Sequence, residues 1–145
     1  MKEPNPAKSE FSCTDLKITN ILVGDINRHS GSTYDFTLKG YLVNESGSDW
    51  VSSEGQQSIH IYKNKEHMRD APFRNMFNNT STGFHLLVQN WDLNNSNPPS
   101  YSYRITYDSD IHVDGNDKNN DCTLKNNTMT ITGKKINDAI RESGR

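Results

Sequence analysis

The chain has 145 residues, a formal net charge of −2 and a hydrophobic fraction of only 31%. That length is typical of one domain, and the low apolar content predicts a thin core. A pI of about 6.2 without a dense Lys/Arg run argues against nucleic-acid binding, and no apolar run is long enough for a transmembrane segment.

The pattern along the chain indicates a single domain over 1–145. Residues 1–11 combine two prolines with several charges, so we expect a flexible lead there. Residues 12–133 carry strand-like patterns and form the predicted β core. Residues 134–145 form a predicted C-terminal helix or tail, because Ile136, Ala139 and Ile140 recur at helical spacing.

The first two strands are predicted to form a hairpin. The first strand covers Asp15 to Ile26, where Ile21 and Val23 break the alternation, so it is either buried on both faces or bulged at Asn20. A polar loop containing glycine follows at residues 28–32. The second strand then alternates apolar residues with polar neighbours, and its apolar members are Tyr34, Phe36, Leu38 and Leu42.

The middle of the chain predicts a third strand and a short helix. Ile59 and Ile61 mark the strand. Asp70 is suited to cap the helix, with Pro72 in its first turn. The apolar residues that follow are spaced as on one packed face of a helix: Phe73, Met76 and Phe77.

The later strands complete a β domain. A fourth strand with Phe84 and Val88 ends near Trp91, and residues 101–114 alternate almost without interruption between apolar and polar side chains. A final hairpin turns near residues 126–127. These patterns predict a mainly β fold, either an antiparallel β-sandwich or a curved sheet of about six to eight strands, with one short mid-chain helix and a short C-terminal helix.

Two cysteines flank the β region. A Cys13–Cys122 disulfide would close a loop on the order of 100 residues and restrict the unfolded chain by roughly 4–5 kcal/mol. Such a bond requires an oxidising compartment, whereas two free buried thiols would suit the cytoplasm. No signal-peptide-like segment follows Met1. We therefore expect a mature periplasmic or secreted protein, with a cytoplasmic location as the alternative.

Two patterns could bind metal. Asp110, His112, Asp114 and Asp121 match ligand positions of an EF-hand-like calcium loop, although His112 replaces an oxygen donor and Asp121 is shorter than the usual glutamate. A solvated polar edge is the alternative for this segment. We therefore expect no cofactor, and calcium is the candidate ion if the segment binds one.

A zinc site is the second metal hypothesis. His60 and His85 lie in predicted strands and would approach each other if those strands paired, with His112 as a third ligand. The sequence does not define the register that would bring them together, and ordinary histidines on the outer face of a sheet are the alternative.

Two tryptophans lie at loops beside acidic residues. Trp50 follows Asp49, and Trp91 precedes Asp92. Exposed indoles in such loops would anchor a protein interface or stack on a sugar. The alternative is that each ring folds back into the core.

These patterns favour a small exported, non-enzymatic domain that binds another protein, such as an inhibitor or immunity protein against a toxin or hydrolase. No nucleophile elbow, P-loop or dinucleotide motif is present. A glycan-binding or adhesin-type module, assisted by calcium, is the second hypothesis. A small secreted hydrolase is the third.

Overall fold

Two antiparallel sheets and a short helix form the described part of the protein. The computed structural model describes residues 15–45, 47–53, 55–107 and 127–144. The elements are β1 (Leu16–Ser30), β2 (Thr33–Asn44), β3 (Gln57–Lys63), β4 (Glu66–Pro72), β5 (Thr80–Asp92), β6 (Tyr101–Tyr107), β7 (Thr128–Ile131) and α1 (Gly133–Glu142). The sheets have the strand orders β1-β2-β5 and β4-β3-β6-β7. The predicted mainly β, sandwich-like class with a C-terminal helix is confirmed.

The β1–β2 hairpin is confirmed, with a shorter loop than predicted. The strands continue to Ser30 and resume at Thr33, so the turn holds only Gly31 and Ser32. Gly31 has a φ of 55°, a left-handed conformation that glycine adopts without steric cost. Along β2, residues at even positions are buried and those at odd positions are partly exposed.

β1 is bulged near the predicted position. Its pairing with β2 shifts register between Ile18 and Asn20. The extra residue reverses the side-chain alternation, so Ile18 and Ile21 are both buried despite their odd spacing. As a result Leu22 points to the outer face of the three-stranded sheet, where its exposed fraction is 50%.

Tyr103 connects the two sheets through the core. Its ring lies against Gly40, where an added Cβ would stand only 2.4 Å from a ring carbon. Its hydroxyl donates a hydrogen bond of 3.2 Å to the Leu38 carbonyl on the opposite sheet. Burial raises the pKa of the Tyr103 phenol, because ionisation is unfavourable away from water.

Helix α1 packs against strand β1. Thr132 caps it by accepting a 3.2 Å hydrogen bond from the Lys135 N–H. Ile136 and Ile140 are fully buried. Within the described residues, no helix is both long and apolar enough to cross a membrane.

The predicted mid-chain helix is wrong. Asp70 and Pro72 belong to strand β4, and the following segment is extended rather than helical. The Phe73 N–H donates to the Gln57 carbonyl, and Met76 forms an isolated β-bridge with Trp50. These tertiary hydrogen bonds satisfy the backbone groups that a helix would have paired locally.

Several predictions made from the sequence lie outside the described residues. The second half of the long alternating segment is among them, because β6 is described only to Tyr107. The cysteines of the proposed disulfide and the ligands of the proposed calcium site also lie outside the described residues: Cys13, Cys122, Asp110, His112, Asp114 and Asp121.

Candidate functional site

Three polar side chains converge on the outer face of the four-stranded sheet. His60 comes from β3, while His67 and Asp70 come from the edge strand β4. The His60 Nε2 atom is 3.2 Å from Asp70 Oδ1, and His67 Nε2 makes a short hydrogen bond to the same oxygen. One nitrogen or oxygen atom from each residue lies within 4.8 Å of the other two. We call these three residues the His-His-Asp cluster.

A bulge in β4 creates this cluster. Residues three apart in a regular strand point to opposite faces, which would separate His67 from Asp70. Asp70 pairs with His60 and His67 pairs with Tyr62, with a register shift that leaves Met68 unpaired. The extra residue returns His67 to the face of Asp70.

Tyr62 supports the two histidines from the neighbouring position on β3. Its ring centroid lies 5.5 Å from that of His67, and its hydroxyl lies 3.4 Å from His60 Nδ1. The side chains of His60, His67 and Asp70 are 24%, 47% and 51% exposed. Tyr62 therefore contacts both histidines on the sheet surface, and the cluster remains accessible from solvent.

A second surface feature lies on the outer face of the three-stranded sheet. Leu22 and Leu87 are 50% and 61% exposed, although both are large aliphatic residues. Lys39 pairs with Leu22 on β1, and its neighbour Thr37 pairs with Leu87 on β5. We call the three outer-face residues Leu22, Tyr41 and Leu87 the outer-face patch.

Polar groups border the outer-face patch. Lys39 Nζ lies 3.2 Å from the Asp25 carboxylate. The rings of Tyr41 and His85 both lean over Gly83, where an added Cβ would be 3.3 Å and 3.1 Å from their nearest atoms. The absence of a side chain at Gly83 therefore lets the two rings lie close to the sheet.

The sheet topology shows that the predicted approach of His60 to His85 is wrong. His60 and His85 do not lie on paired strands, because β3 and β5 belong to different sheets. The His85 carbonyl instead accepts a hydrogen bond from Arg69. The histidine near His60 is His67, whose odd spacing from Asp70 gave no strand-face signal in the sequence.

Both tryptophans fold back into the core, as the alternative reading proposed. Trp50 is fully buried, with its ring centroid 5.5 Å from that of Tyr107. Trp91 is also buried and lies edge-on to Phe36 at 5.5 Å. Neither indole is presented to a ligand on the surface of this structure.

The acidic neighbours of the tryptophans organise turns. Asp49 accepts a 2.8 Å hydrogen bond from the Asn78 N–H. Asp92 accepts hydrogen bonds from the Asn94 N–H and the Ser32 hydroxyl, and these lower the pKa of the Asp92 carboxyl. Asp49 and Asp92 therefore act as hydrogen-bond acceptors that stabilise turns of the chain.

The fold and its surfaces define a small β-sandwich domain. No family model matches the chain, and no curated protein does. Among solved structures, the chain is similar to the CARDB domain of a Pyrococcus furiosus protein, determined in complex with di-metal ions. The TM-score is 0.52 at 13% identity, and the likeness covers 83% of this chain and 87% of that chain. This similarity concerns the fold.

Proposed function

We propose that this chain is a non-enzymatic domain that binds another protein through the outer-face patch. The observation that carries the proposal is the exposure of Leu22 and Leu87 on the same outer face of the three-stranded sheet, on either side of β2. Burying a leucine side chain contributes about 1.5–3 kcal/mol, so a partner that covers both gains substantial stabilisation.

The composition of the patch fits a protein interface. Lys39 pairs with Leu22 on one side and with His85 on the other, and the Lys39–Asp25 ion pair adds a further polar contact. Protein interfaces commonly have an apolar, aromatic-containing centre and a polar rim. The patch lies on a sheet, so its side chains are positioned before the partner arrives.

An exported inhibitor or immunity protein is the specific form of this proposal. A bond between Cys13 and Cys122 would support it by requiring an oxidising compartment. The glycan-binding alternative required the rings of Trp50 and Trp91 to stack on a sugar. Both rings are buried, so they are not available for stacking.

The proposal can be tested by site-specific photo-crosslinking followed by reconstitution. A photoreactive residue at Leu87 is expected to capture a partner in the native host, whereas one at Thr106 on the other sheet is not. The purified partner should then bind the wild-type chain as a defined complex. Leu87→Lys should raise the Kd at least about tenfold, equivalent to roughly 1.4 kcal/mol, because it places a charge against the partner's apolar surface.

Phe77→Lys provides a matched control. Phe77 is 54% exposed, comparable to Leu87, but lies in the segment before β5 and outside the patch. Unchanged affinity in this variant would separate a specific interface from general stickiness. Equal binding by wild type, Leu87→Lys and Phe77→Lys would contradict the proposal, as would substrate turnover by the isolated chain.

A further inference from the structure

We propose that the His-His-Asp cluster is a binding site for Zn²⁺. It lies on the sheet opposite to the outer-face patch, so the inference is independent of the proposed protein interface. The ligands would be His60 Nε2, His67 Nε2 and one carboxylate oxygen of Asp70.

The distances suit a small cation. Zn²⁺ bonds to imidazole nitrogen and carboxylate oxygen are about 2.0–2.2 Å long, so ligand atoms around a tetrahedral ion lie roughly 3.3–3.5 Å apart. The His60 Nε2 to Asp70 Oδ1 distance is 3.2 Å, and all three atoms lie within 4.8 Å of one another. Small rotations of the half-exposed His67 and Asp70 side chains would admit the ion.

The surroundings of His60 prepare it as a ligand. Its Nδ1 lies 3.4 Å from the Tyr62 hydroxyl, on the side of the ring away from Asp70. Polar contacts to the second ring nitrogen fix the tautomer and orientation of metal-binding histidines. His60 also belongs to β3, which has strand neighbours on both sides, so its backbone position is well supported.

The ligand types select the metal. Two imidazoles and one carboxylate favour Zn²⁺ over Ca²⁺ or Mg²⁺, which prefer oxygen ligands alone. Three protein ligands leave a fourth tetrahedral position, and the exposure of the cluster opens that position to solvent. Arg104 is the cross-strand neighbour of His60 on β6, but its exposed side chain is free to turn toward water.

The unusual bulge is consistent with this role. A bulge interrupts the ladder and leaves Met68 without a cross-strand partner, yet here it places His67 beside Asp70. Bulges often occur where a strand has to re-aim a side chain toward a site. The bulge thus provides the local geometry that the cluster requires.

The inference is tested with untagged, chelator-treated protein titrated with ZnCl₂ in a calorimeter. We expect one ion per chain, and Co²⁺ in place of Zn²⁺ should show the d–d absorption of a tetrahedral nitrogen and oxygen site. His67→Ala and Asp70→Asn should each weaken binding by at least about tenfold, since even outer contacts of metal sites contribute that much. Both residues are half-exposed on an edge strand, so these variants are expected to stay folded, as circular dichroism would verify.

His85→Ala is the matched control, because His85 is an outer-face histidine of the other sheet. It should retain wild-type zinc affinity. The proposal would be overturned if wild type took up no zinc under these conditions. It would also be overturned if His67→Ala and Asp70→Asn bound zinc as tightly as wild type, because the ion would then reside elsewhere in the chain.

Discussion

Tyr103 shows how one residue couples the sheets and responds to pH. Its phenol is neutral in the folded state over a wider pH range than in the unfolded chain, because burial raises its pKa. An unfolded tyrosine loses its proton near pH 10, so above that pH the unfolded state binds fewer protons. The contribution of Tyr103 to stability is therefore complete below about pH 10 and decreases as the pH rises further.

Tyr103→Phe tests this coupling. At neutral pH the loss of the hydrogen bond to the Leu38 carbonyl should lower the free energy of unfolding by about 0.5–1.5 kcal/mol. Above pH 10, the stability of wild type should fall more steeply than that of the variant. Urea unfolding at several pH values measures both effects, and parallel profiles for the two proteins would contradict the assignment.

At single residues, the sequence predicted burial better than it predicted sites. Phe36, Leu38 and Ile105 are buried as their alternation indicated. His67 was overlooked as a site residue because Asp70 was interpreted as a helix cap, and even in a strand an odd spacing normally means opposite faces. Only the register of the β3–β4 hairpin shows the bulge, and the almost wholly exposed side chains of β4 do not encode that register.

Among the elements, β2 and β6 provide the test of face assignment. Phe36→Ala and Ile105→Ala should each destabilise the protein by about 2–5 kcal/mol, because each removes a buried side chain. The adjacent variants Thr37→Ala and Thr106→Ala should be near neutral, since these threonines are partly exposed. Denaturant unfolding of the four variants makes the comparison, and similar losses in both pairs would mean that the faces are misassigned.

The elements differ in how much their sequences reveal. β2 packs on one face only and alternates cleanly, so its strand pattern was readable. β4 is an edge strand in which every residue except Ala71 is exposed, so it carries no apolar period. Asp70 and Pro72 then resembled a helix start, and tertiary hydrogen bonds decided the conformation instead.

At the scale of the whole molecule, the helix is attached to the sandwich through a buried polar contact. The Trp91 Nε1–H donates a 2.7 Å hydrogen bond to Asn137 Oδ1. A double-mutant cycle with Trp91→Phe and Asn137→Ala should give a coupling energy of about 1 kcal/mol in urea unfolding.

The same helix offers a matched control for that cycle. Lys134 and Asp138 form an exposed i,i+4 ion pair at 3.2 Å. A cycle on this pair should give no more than about 0.5 kcal/mol, because water and salt screen exposed charges. A coupling for Trp91–Asn137 as small as that of the ion pair would show that the buried contact does not anchor the helix.

Strand β1 lies against both β7 and α1, so segments far apart in the chain complete one another. During synthesis, a nascent chain that ends before Thr128 leaves part of β1 without these neighbours. Pairings between distant segments also slow folding, because a long loop must close before any contact forms. The packing around β1 is therefore complete only once β7 and α1 are in place.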